Sequence, residues 1–151
     1  MTTRRYRLKL ATWTVVREPG APSPRTLDSP AAVAELARDF LRDHDDDKEH
    51  FWIFLNSQNR YLLHTLVSLG TQSATLVHPR EVLGPALREG AASVILVHNH
   101  PSGDPSPSRE DLRLTRQLAD AATLLDLRVH DHIIIGNGTG AWVSLAERGQ
   151  I

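Results

Sequence analysis

Runs of apolar residues alternate with polar and proline- or glycine-rich stretches along the chain, and their spacing changes from run to run. Tyr6 to Val16 has strand-like composition, and Glu18 to Ser29 reads as a loop or linker. Ser29 places a capping hydroxyl ahead of Pro30, and Val33, Leu36, Ala37, Phe40 and Leu41 then recur at helical spacing, which predicts a helix ending near Asp43. Phe51 to Leu55 is continuously apolar, as a strand covered on both faces should be. Asn56 to Asn59 supplies turn chemistry, and Tyr61 to Leu69 returns as the second strand of a hairpin closed by Gly70. Pro79 starts another helix, with Val82, Leu83, Ala86 and Leu87 as its stripe and Gly90 as its stop. Ser93 to Val97, short and β-branched, predicts a central strand followed by a polar loop from Asn99 to Pro107. Ser108 and Asp111 resemble a capping box opening a helix that runs to Asp126, with Leu112, Leu114, Leu118, Ala122 and Leu125 at its apolar positions. Arg128 to Ile135 is a further strand, Asn137 to Gly140 a tight turn and Ala141 to Leu145 its partner. Strands interleaved with helices predict an α/β layer structure.

Length and composition narrow the chemistry. A chain of 151 residues is the size of one ordinary domain. Without cysteine there are no disulfides, thiolate metal sites or cysteine nucleophiles, which fits a cytoplasmic setting and leaves nitrogen and oxygen as the donors for any metal. No stretch approaches the roughly 18 apolar residues of a membrane span, and Met1 to Leu10 lacks the apolar core of a signal peptide. Seventeen basic against eighteen acidic side chains give a net charge of −1, so no global positive field supports nucleic-acid binding. Arg4, Arg5, Arg7 and Lys9 read as a basic end, and His44 to Asp47 as a solvated connector lacking the ligand pattern of a calcium loop.

Eight histidines are the unusual feature of that composition, and His98 and His100 stand at i and i+2 where a buried strand runs out. Alternation along a strand points both imidazoles to one face. Asp111, in the first turn of the next helix, can fold back toward them. Two imidazoles and one carboxylate leave a tetrahedral zinc with an open position, the arrangement of a catalytic site. Each fragment also has a plainer reading, the histidines as a hydrogen-bonded pair and Ser108 with Asp111 as a helix cap. His132 and Asp131 offer hydrogen bonds to a ligand imidazole, although a packed or surface histidine is the more ordinary account. Ser102, Gly103 and Asp104 read chiefly as residues that shape the loop.

The compound pattern weighs more than its parts. The run from His98 through Asn99, His100, Pro101, Ser102, Gly103 and Asp104 to Ser108 and Asp111 resembles the zinc signature of the JAMM (JAB/MPN-plus) metalloproteases, in the version found in RadC-like proteins. Glu49-His50-Phe51, His78-Pro79-Arg80-Glu81 and Asp131 to Gly136 also look like RadC segments, so the likeness covers roughly residues 30 to 148. It implies a cytidine-deaminase-like (JAB/MPN) three-layer α/β fold, a mixed β-sheet flanked by helices. Residues 30–151 would form the RadC-like JAB/MPN domain, and 1–29 an N-terminal strand and linker extension, too short for the helix-hairpin-helix region that usually precedes it.

By the same resemblance His98, His100 and Asp111 are Zn2+ ligands, Ser108 places its hydroxyl near a developing oxyanion, and Glu49 is the general base. Glu81, Glu89 and Glu110 are its rivals. The expected function is zinc-dependent hydrolysis of a peptide or isopeptide bond in a peptide or protein-conjugate substrate. The alternative is a metal-dependent nuclease or DNA-repair-associated RadC-type protein.

Overall fold

The computed structural model describes residues 25–41, 48–70 and 77–151, and the side chains of residues 48–51 and 66–70 lie outside that description. The expected strand over Tyr6 to Val16, the basic residues Arg4 to Lys9 and the acidic run His44 to Asp47 all fall outside the described residues.

The element order is α1 (Pro30–Phe40), β1 (Lys48–Leu55), β2 (Tyr61–Gly70), α2 (Pro79–Arg88), β3 (Ser93–His100), α3 (Arg109–Thr123), β4 (Arg128–Gly136) and β5 (Trp142–Ser144). The five strands form one mixed sheet in the order β2-β1-β3-β4-β5. β3 and β4 are parallel, whereas β1 runs antiparallel to both β2 and β3, and β4 antiparallel to β5. The connection between the parallel strands is α3, as the geometry of a βαβ unit requires.

The continuous apolar runs are explained by cover on both faces. Trp52, Phe54, Val94 and Leu96 point to the side where Val82, Leu83 and Ala86 of α2 and Leu118 and Ala122 of α3 pack. The alternate residues Ile53, Leu55, Ile95 and Val97 point to the other side, against Val33, Ala34 and Ala37 of α1. Helix, sheet and helix pair therefore make three layers, in agreement with the α/β expectation. Ser29 caps α1 through its side chain, with Pro30 in the first turn, as its sequence position demands.

β3 departs from its expected bounds, running on to His100 where a loop was expected from Asn99. The reason is pairing: His98 is opposite His50 of β1 and Ile134 of β4, and beyond it the parallel ladder with β4 alone continues to His100 opposite Gly136. Polar residues thus lie in regular strand because their neighbours satisfy their backbone.

Candidate metal centre

The extended β3 fixes the first two donors. His98 is fully buried and His100 partly exposed, and both rings lie on the α3 side of the sheet. α3 supplies the third. Ser108 is its N-cap, accepting at Oγ from the Asp111 backbone N–H at 3.1 Å, and its own N–H donates to Asp111 Oδ2 at 2.8 Å. This reciprocal cap holds the Asp111 carboxylate at the helix start, where the helix dipole also favours negative charge.

The three side chains converge. His98 Nε2 lies 2.9 Å from His100 Nε2, and the Asp111 carboxylate oxygens lie 3.2 Å from each of those nitrogens. Burial works against a charge on Asp111, but the polar contacts made to its carboxylate, the Ser108 N–H among them, outweigh burial and hold the carboxyl well below the usual carboxylate range. His100 Nδ1 lies 2.8 Å from the Asp104 carbonyl oxygen, which can only accept. The ring therefore carries its proton on Nδ1 and aims the Nε2 lone pair at its neighbours.

That donor set fits a small divalent cation. Bonds of about 2.0–2.1 Å at tetrahedral angles would separate donors by roughly 3.3 Å, close to the distances found. Among the described residues, His98, His100 and Asp111 are brought together as a group that could hold a metal ion.

Other singled-out residues have defined places. Glu49 lies on β1 one residue before His50, the partner of His98 in the β1–β3 ladder, and its side chain lies outside the described residues. Among its rivals, Glu81 accepts from the His78 N–H at the start of α2, Glu89 is the C-cap of that helix, and Glu110 pairs with Arg113 at 2.6 Å. Gly103, at φ +86°, lets the loop turn so that the next carbonyl, that of Asp104, meets His100. Asp131 accepts from Ser144 Oγ, the Ala146 N–H and the His132 N–H, a structural role away from the donor group.

His132 is buried and packed, as the more ordinary reading has it, and its Nε2 in addition contacts His98 Nδ1 at 2.6 Å, the hydrogen bond to a neighbouring imidazole that the other reading offered. A ladder irregularity between Val94 and Ile95 shifts the phase of β4, so alternation counted from Val129 in the sequence points to Asp131 instead. Thr115 was missed altogether. It is buried on α3 one turn after Asp111, and its hydroxyl touches His132 Nδ1. The i, i+4 spacing from the Asp111 position was the signal available for it.

No helix among the described residues is long and apolar enough to cross a membrane. Residues 27–150 match the family model for the RadC-like JAB domain. The chain is 48% identical over 133 residues to a UPF0758 protein of Syntrophotalea carbinolica, 88% of this chain and 57% of that protein. A UPF0758 protein of Geotalea uraniireducens is 48% identical over 82% of this chain and 53% of its own length. One from Methanosarcina mazei is 45% identical over 90% of this chain and 56% of its own. The chain thus spans a little over half the length of these curated relatives. With the mixed sheet, the helix layers and the histidine–aspartate cluster all in place, a match across residues 27–150 means that this chain belongs to the RadC-like JAB domain family.

Proposed function

We propose that this chain is a zinc-dependent hydrolase that cleaves a peptide or isopeptide bond. The observation that carries the reading is the convergence of His98, His100 and Asp111 at 2.9–3.2 Å, with His100 reaching the surface so that a substrate can approach. When bound there, zinc supplies an activated water and polarises a carbonyl.

The remaining work belongs to the chain. Glu49, near the start of β1 and next to His50, the ladder partner of His98, takes the proton of the attacking water and passes it to the leaving amine. The assignments of Glu81, Glu89 and Glu110 to helix ends and an ion pair support Glu49 over them. Ser108 accepts from the Asp111 N–H, which leaves its exposed hydroxyl hydrogen to donate to the oxyanion developing on the substrate.

The test begins with metal content. Wild-type protein should hold one zinc, and His98→Ala and Asp111→Ala should lose it. Glu49→Gln should keep zinc and lose turnover of a peptide or isopeptide substrate, and full activity in that variant would remove Glu49 from the mechanism.

A phosphodiester is the second substrate class, favoured by Arg109, Arg113 and Arg116, which stand along one side of α3 and line a shallow surface groove with Leu112, Gln117 and one carboxylate, Asp120. Binding of DNA that weakens steeply with salt would support it, and flat salt dependence would count against it.

A further inference from the structure

We infer that His132 and Thr115 are positioning residues that set the tautomer of His98, so that its Nε2 lone pair faces His100 and Asp111 before any metal arrives. The inference deepens the metal reading and rests on it for the affinity measurements alone.

The chain of donors can be read from its far end. Thr115 Oγ1 lies 2.6 Å from the backbone carbonyl oxygen of Asp111. A carbonyl has no hydrogen to give, so the single hydroxyl hydrogen of Thr115 points there. Toward His132 Nδ1, which it also contacts, the same oxygen can only accept. His132 therefore carries a proton on Nδ1. In the neutral ring Nε2 is then an acceptor, and it faces His98 Nδ1 at 2.6 Å. His98 must donate from Nδ1, which puts the lone pair on Nε2, the atom 2.9 Å from His100 Nε2 and 3.2 Å from Asp111 Oδ1.

Every member of this chain except the Asp111 carbonyl is a side chain of a buried residue, so each contact made in the interior is costly to leave unmet. The chain also closes on itself. It leaves β3 at His98, crosses to β4 at His132, passes to α3 at Thr115 and ends on the backbone of Asp111, a second member of the donor cluster. Two proposed ligands from separate elements are thereby tied through two residues that touch neither metal nor substrate. His100 reaches the same tautomer by a separate route, the Asp104 carbonyl.

Removing the Thr115 hydroxyl alone should release the setting. In Thr115→Val, His132 Nδ1 loses its acceptor, and its proton is better placed on Nε2, where it donates to His98 Nδ1. The His98 proton then moves to Nε2, which blocks that atom as a donor to metal. The proton count is unchanged, with one proton on each ring before and after.

Two readouts test this. In metal-free wild-type protein at about pH 8, long-range proton–nitrogen NMR of labelled histidine should show His98 and His132 each protonated at Nδ1 only. A proton on His98 Nε2, or a doubly protonated His132, would overturn the inference. By chelator competition with Zn2+ alone, Thr115→Val should bind about 10–100-fold more weakly than wild type. Thr115→Ser, which keeps the hydroxyl, should restore affinity to within a few fold. Wild-type affinity and an unchanged tautomer in Thr115→Val would also overturn it. The metal reading fails by a different result: unaltered zinc affinity in His98→Ala and Asp111→Ala.

Discussion

Gly136→Ala tests how tightly the loop after β3 governs the donor cluster. Gly136 pairs with His100 across the parallel ladder, and a Cβ built on it would stand 2.2 Å from the Gly103 carbonyl oxygen and 2.9 Å from both Gly103 C and Thr139 Oγ1. Real Cβ atoms essentially never come within 3.0 Å, so the Gly103 carbonyl must retreat by about 0.8 Å. It cannot do so alone. Its peptide leads directly into Asp104, whose carbonyl accepts from His100 Nδ1, and the Gly103 N–H is bound to the His100 carbonyl at 3.0 Å. A displacement of that size is several times the tolerance of about 0.2 Å on a metal–ligand distance. Overpacking of this kind typically costs about 1–3 kcal/mol, and misorienting a ligand about 10–100-fold in metal affinity. The assay is urea denaturation of metal-free protein beside zinc competition titration of the folded variant. The expected result is a lower midpoint and at least roughly tenfold weaker zinc binding. Unchanged stability would refute the close approach of the two backbones, and lost stability with unchanged affinity would refute its transmission to His100.

Ser108→Ala removes the side-chain cap on the Asp111 N–H and should cost about 0.5–2 kcal/mol in denaturation; if the hydroxyl also serves the oxyanion, kcat should fall about 10²–10³-fold with KM little changed. Leu96→Ala, in the core under α2 and α3, should cost about 2–5 kcal/mol by the same measurement. Burial lowers the pKa of His64 and of His130, with Arg128 adding to the effect at His130, so the unfolded chain binds these protons more readily than the folded one. Stability should therefore fall as pH drops below about 6.5 and level off beneath the folded-state values; thermal melts of a His64→Asn, His130→Asn double variant should show a shallower slope in that window.

The parts of this molecule legible in its sequence are those set by neighbours in the chain. Ser29-Pro30 fixes the start of α1, and Ser108 with Asp111 fixes the start of α3 through bonds spanning three residues. The donor cluster was legible for a similar reason: His98 and His100 share a face by strand alternation, and the helix cap that secures Asp111 is local. Here the plain and functional readings of Ser108 and Asp111 coincide, because the cap is what holds the carboxylate toward the rings. The extent of β3 was not legible. Asn99 and His100 are strand because the parallel ladder with β4 carries on past His98, and nothing within the polar run announces that pairing.

His132 marks the boundary most sharply. Strict alternation from Val129 selects Asp131 for the α3 face, yet the irregularity opposite Val94 and Ile95 leaves both His130 and Asp131 lining a cavity on the α1 side and brings His132 over to His98. A one-residue slip in register exchanges the faces of a whole strand. Without it, an aspartate would stand where His132 now passes a contact from Thr115 to His98, and the ring that fixes one proposed ligand against another would be broken. The backbone irregularity on β4 is therefore part of the site's construction: it decides which side chain supports His98, and the identity of that side chain decides which nitrogen of His98 faces Asp111.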